Sequence, residues 1–100
     1  MALRHVVLFR FSEGATGEQV RALVEGLDRL PELVGTVVAY HHGRDAGVNQ
    51  GTYDYAVVGD FATVDDYVTY RDHPDHRALV RDLLTPIVTE RASIQYELPS

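Results

Sequence analysis

Residues 3–11, Leu-Arg-His-Val-Val-Leu-Phe-Arg-Phe, carry apolar side chains on both parities: Val7, Phe9 and Phe11 on one, Val6 and Leu8 on the other. A β-strand sends successive side chains to opposite faces, so this segment is predicted to be a strand covered on both sides. That requirement is severe for a chain of 100 residues. A domain this small hides only roughly 60–70% of the surface that its unfolded chain exposes, and it has few elements with which to cover a second face.

The rest of the chain supplies helices for one face only. Thr16 with Gln19 three residues later forms a capping-box pattern, and Val20, Leu23, Val24, Leu27 and Leu30 follow at helical spacing. Pro31 and Gly35 end that helix near residue 33, and Thr36 to His42 reads as a second strand. Residues 43–52, rich in Gly, form a loop, and a third strand runs from Tyr53 to Phe61. Thr63 opens a short helix that reaches about Asp72, with Asp65 and Asp66 in its first turn where the helix dipole favours negative charge. Pro74 suits the first position of another helix, whose apolar stripe is Leu79, Val80, Leu83 and Leu84 and which Pro86 bends or ends. Ala92, Ile94, Tyr96 and Leu98 alternate with Ser93, Gln95 and Glu97 in a half-buried fourth strand.

The order β-α-β-β-α-α-β fits an α+β, ferredoxin-like layout, a single domain over residues 1–100 in which a four-stranded antiparallel sheet carries its helices on one face. The opposite face would then leave Val6, Leu8, Val38, Ala56 and Val58 as a contiguous apolar patch. A second copy of the sheet would cover it, at roughly 25 cal/mol per Å² of apolar surface removed from water, before the cost of association. A homodimer joined through the sheet faces is therefore expected.

Composition narrows the partners. The formal charge is −6, and the nine Arg are scattered with no Lys and no basic block, which argues against nucleic acid. There is no Cys, so disulfides, thiolate nucleophiles and Cys-based metal sites are excluded, and no apolar run approaches the ~20 residues of a membrane span. A cytoplasmic protein without membrane partners is the expectation.

The densest cluster of polar side chains is Tyr70-Arg71-Asp72-His73-Pro74-Asp75-His76. Capping accounts for much of it: His73 would cap the second helix, Pro74 would start it, Asp75 would complement its dipole, and His76 would bond to backbone. The same residues also admit a chemical reading. A neutral His76 imidazole could accept a proton, and the Tyr70 phenol could donate to an oxyanion as a carbonyl compound enolises. On strand parity His5 and Tyr55 would border the space between sheet and helices into which His76 could project.

Other chemistries have weaker support. His73 with His76, and adjacent His41 and His42, offer four imidazoles, but neighbours on a strand point apart and no HExxH-type spacing is present, so no metal is expected. Neither a GxSxG elbow nor a phosphate-binding glycine loop between a strand and a helix occurs. Without Trp, and with the lone Asn49 in a loop, the chain shows no feature of a haem-degrading or cofactor-free oxygenase, and no cofactor is expected.

The opening Ala2 to Phe11 segment, the Tyr53 to Val58 strand ending at Phe61, the Tyr67-Val68-Thr69-Tyr70 helix and the His73-Pro74-Asp75-His76 turn together resemble the stress-responsive A/B barrel (Dabb) family, over essentially the whole chain. The resemblance implies a dimeric α+β barrel. The family includes stress proteins without an assigned reaction and a plant polyketide cyclase that performs an aldol condensation, whose catalytic Tyr and His match Tyr70 and His76 and whose first-strand His matches His5. At the position of a second strand His this chain has Tyr55, and where the cyclase pocket has aromatics it has Leu27 and Ile87. The resemblance thus implies a pocket bounded by His5, Tyr55, Leu27 and Ile87, with His76 and Tyr70 as the acid/base pair acting on a polyketide-like carbonyl ligand. The alternative is a non-enzymatic, ligand-binding stress-response dimer in which the same Tyr and His residues are structural.

Overall fold

The computed structural model describes residues 1–99. Strand β1 (Leu3–Phe11) is followed by helix α1 (Gly17–Val34), strands β2 (Val37–Arg44) and β3 (Tyr55–Phe61), helices α2 (Val64–Asp72) and α3 (Pro74–Leu79), and strand β4 (Val88–Glu97). The four strands form one antiparallel sheet in the order β2-β3-β1-β4. The two-faced strand β1 is therefore central, as its sequence requires.

Local chemistry sets the ends of α1. The Thr16 hydroxyl accepts from the Gln19 N–H at 3.1 Å while Gln19 Oε1 accepts from the Thr16 N–H at 2.9 Å, a reciprocal cap. The helix continues through Pro31 to Val34 and stops at Gly35, whose φ of 81° is left-handed and whose N–H donates to the Pro31 carbonyl. Val20, Leu23, Leu27 and Leu30 are buried against Phe9, Val57 and Phe61 of the sheet. At Gly26 a Cβ would lie 2.9 Å from Leu79 Cδ1, so the glycine lets α1 sit directly on the end of α3.

Three boundaries differ from the sequence expectation. Strand β3 starts at Tyr55, because the chain turns before it: the Asp54 N–H donates to the Phe9 carbonyl at 3.0 Å and the Asp54 carboxylate accepts from the Phe11 N–H at 2.9 Å. Tyr53 consequently lies under the Arg10 guanidinium, 4.3 Å from its ring centre, rather than in line with Tyr55. The helix expected from Pro74 to Pro86 breaks after Leu79 into a π-turn (Val80–Leu84), closed by the Thr85 N–H on the Val80 carbonyl, and a 3-10 turn (Thr85–Ile87). Pro86 has no N–H with which to continue the α ladder. Strand β4 begins at Val88, four residues before Ala92, because 88–91 pair with β1 across a bulge at Arg10/Phe11.

Register then divides the side chains. Arg91, Ser93 and Gln95 stand opposite Phe9, Val7 and His5 on the cavity side, whereas Ala92, Ile94 and Tyr96 stand opposite Leu8, Val6 and Arg4 on the bare face. All six are exposed, so the strand expected to be half-buried is open on both faces of the protomer, because this edge of the sheet lies beyond the helices. On the bare face Val6, Leu8, Ala56 and Val58 are half-buried, Val38 is 69% exposed and Ile94 59%. No helix among the described residues is long and apolar enough to cross a membrane.

Candidate functional site

Between the helix-covered face of the sheet and the helices lies a cavity of about 240 Å³, whose wall includes His5, Leu27, Tyr40, Tyr70, His76 and Arg91. Strand β1 supplies His5, β2 Tyr40, α2 Tyr70, the first turn of α3 His76, and β4 Arg91. The α2–α3 junction aims two of these groups. His73 caps α3 by accepting the Asp75 N–H on Nδ1 at 3.1 Å, and Pro74 starts the helix. This turn brings the His76 ring to 4.4 Å from that of Tyr70, centre to centre.

Hydrogen bonding fixes the two imidazoles as opposite tautomers. A carbonyl oxygen only accepts, so the 2.9 Å contact between His76 Nδ1 and the Arg71 carbonyl places the proton on Nδ1 and leaves the lone pair on Nε2. His5 Nδ1 instead accepts from the Gln95 side-chain amide at 2.9 Å, which puts the proton of a neutral ring on Nε2. Neither Nε2 has a partner among the described residues, and no enclosed side-chain nitrogen or oxygen among them lacks one. Both atoms therefore open onto free space. Burial brings the His5 pKa down to about 4, with a further push from His76. Burial also lowers that of His76, against the opposing pull of the Arg71 carbonyl. Near neutral pH one ring offers a proton acceptor and the other a donor.

The phenols are donors as well. Tyr70 and Tyr40 place their hydroxyls 2.7 Å apart. Burial pushes the Tyr40 phenol up to about 12 and raises that of Tyr70 far above its ordinary value, so neither ionises near neutrality. One hydroxyl donates to the other, which leaves one hydrogen free for a ligand oxygen. The Tyr67 ring packs 5.0 Å from His5 and completes the aromatic surround.

His5, Tyr70, His76 and Leu27 thus converge on one cavity. Tyr55 and Ile87 do not reach its wall. Ile87 is fully buried in the core. Tyr55 stacks on Phe9, with centres 5.8 Å apart and planes within 5°, and its hydroxyl donates to His42 Nδ1 at 2.6 Å. His42 Nε2 in turn donates to Asp28 at 2.7 Å. Both His42 nitrogens are thus occupied, tying β3 and β2 to α1. His41, its neighbour, is exposed, and no three metal-ligating side chains converge among the described residues.

Tyr40, Arg91 and Ser93 were not anticipated from sequence as members of this wall. A bulge between Val37 and Ala39 resets the alternation of β2, so that Val37 and Tyr40 both pack on the core. Tyr67 was not named for the wall either, although a signal was present: it precedes Tyr70 by three residues and shares its side of α2.

Comparison with known proteins agrees with this architecture. The chain is 29% identical over 77 residues to the stress-response A/B barrel domain-containing protein HS1 of Arabidopsis thaliana, covering 74% of this chain and 70% of that relative. It superposes with a TM-score of 0.90 on a dimeric ferredoxin-like protein of unknown function from Thermobifida fusca, at 37% identity, covering 98% of this chain and 92% of the other. The hydroxynitrile lyase from Passiflora edulis shares the fold with a TM-score of 0.88, at 16% identity and with 98% and 94% of the two chains covered. The Stress Responsive A/B Barrel Domain model matches residues 3–98, and with the ferredoxin-like sheet in place the chain belongs to that family.

Proposed function

We propose that the chain is a homodimer, joined through its bare sheet faces, in which each protomer uses its cavity for acid/base chemistry on a small carbonyl compound. The observation that carries this reading is the pair of neutral imidazoles of opposite tautomer beside a buried phenol. His76 Nε2 takes the proton from the carbon next to a carbonyl, and the electron pair moves onto the carbonyl oxygen. Tyr70 and the His5 Nε2–H donate to that oxygen as it becomes negative. The resulting enolate can attack a second carbonyl of the same molecule, an aldol-type cyclisation of a polyketide-like substrate. A hydroxynitrile lyase on the same fold supports the capacity of this scaffold to house an enzyme.

The dimer is supported by the apolar side chains left on the bare face and by the Thermobifida relative, which is described as dimeric. Sedimentation equilibrium should give a dimer at micromolar concentration, shifted toward monomer by Ile94→Asp; a folded wild-type monomer would remove this part of the reading.

The chemistry is tested with 3,5-dioxohexanoate and its methyl ester in D2O, by following loss of the C4 proton signal. The protein should speed exchange of at least one of them, and His76→Gln should lose the acceleration while keeping its circular dichroism. A second reading is favoured by the His76 Nδ1 bond to the Arg71 carbonyl, which holds α3 against α2. In that reading the protein only binds its ligand, and His76→Gln lowers the melting temperature with no exchange to lose.

A further inference from the structure

The cavity wall holds one permanently charged side chain, Arg91, and no carboxylate, in a chain whose net charge is −6. Arg91 is exposed, as are Ser93 and Gln95, so β4 forms the open side of the cavity, its mouth. It has no carboxylate within salt-bridge distance among the described residues. Its neighbour Glu90 is turned to the opposite face of β4, where it pairs with Arg10. The next residue on the same face, Ser93, also lines the cavity, and the one after, Gln95, holds His5. This polar strip lies beside Phe9, Val7 and His5 in register, so β4 borders the cavity with a cation at one end and the imidazole's support at the other.

We propose that the cavity takes a keto compound bearing a carboxylate, which Arg91 grips at the mouth with Ser93 beside it, while the carbonyl reaches His5, Tyr70 and His76. The planar guanidinium fork matches a carboxylate with two parallel hydrogen bonds. Arg91 and Gln95 are four residues apart on β4, about 13 Å along the strand. A carboxylate held by Arg91 therefore lies several bonds from a carbonyl that reaches His5. The proposal rests on the acid/base reading for what happens at the carbonyl, but not for the grip itself.

Binding is read from the imidazole 15N and 1H resonances of His5 and His76 during titration with 3,5-dioxohexanoate or its methyl ester. The acid should bind about tenfold more tightly than the ester. Arg91→Gln should remove that preference by bringing the affinity for the acid down to that for the ester; the residue is exposed, and circular dichroism checks that the fold persists. Arg91→Lys, which keeps the charge without the fork, should retain part of it. Equal affinities in the wild type, a preference that survives Arg91→Gln, or no response of either imidazole to either compound would overturn the proposal. Wild-type preference for the acid without C4 exchange would overturn the acid/base reading while supporting the carboxylate grip. Exchange of acid and ester alike, indifferent to Arg91→Gln, would do the reverse.

Discussion

Two His–Tyr clusters lie on the same side of this sheet, and they differ in what is left over. Around His42 every polar atom of the two rings is engaged: Nδ1 by Tyr55, Nε2 by Asp28. Around the cavity His5 and His76 each have one nitrogen fixed by the protein and the other free, beside a pair of phenols with one hydrogen to give. Residue type does not separate the two clusters. Saturation does: a fully bonded imidazole braces the fold, and one held at a single nitrogen is aimed.

That contrast can be broken at several points. The largest effect is expected at His76, where replacement by Gln should reduce the protein-catalysed exchange about a hundredfold or more, as measured by NMR in D2O. Retained exchange would put His76 among the braces. Tyr70→Phe should cost about tenfold in the same assay, since His5 and Tyr40 still supply donors. For His5 the readout is thermal stability against pH. The folded protein keeps this ring neutral down to about pH 4, whereas the unfolded chain takes up the proton near 6.5. The unfolded state therefore binds more protons between those values, and the melting temperature should fall as pH drops through that window, with His76 acting in the same direction. His5→Gln should flatten the slope. The smallest effect is expected from Tyr55→Phe, which should lower stability by about 1–2 kcal/mol in urea unfolding and leave exchange untouched.

How far the sequence could be read depends on how each element is specified. The start of α1 was legible because a capping box is written in two residues, Thr16 and Gln19, and both bonds form. The paired roles of β1 were legible because alternation holds along the whole strand, and the HPxH turn because Pro74 and its flanking cap are local chemistry. The β2 bulge is different: nothing in Thr-Val-Val-Ala-Tyr marks the extra residue, so Tyr40 could not be assigned to the cavity side. Strand β4 was read from its apolar alternation, which belongs to the bare face, and so its first residues were missed along with the polar set that faces the cavity. Tyr55 was expected on the correct face and at the cavity, yet it sits beside His42 instead, because its destination depends on Asp28 and His42, distant in sequence and recognisable only through their shared bonds.

Strand β4 has one more implication. Ile94, turned outward on the bare face, lies in the backbone directly between Ser93 and Gln95, the one lining the chamber and the other steadying His5. Whatever covers that isoleucine from outside also stiffens the peptide units on either side of it, which border the cavity. On the proposed dimer and cavity function, association and guest binding would share a single stretch of main chain, and dilution into free subunits should loosen the grip on a guest before it unfolds anything.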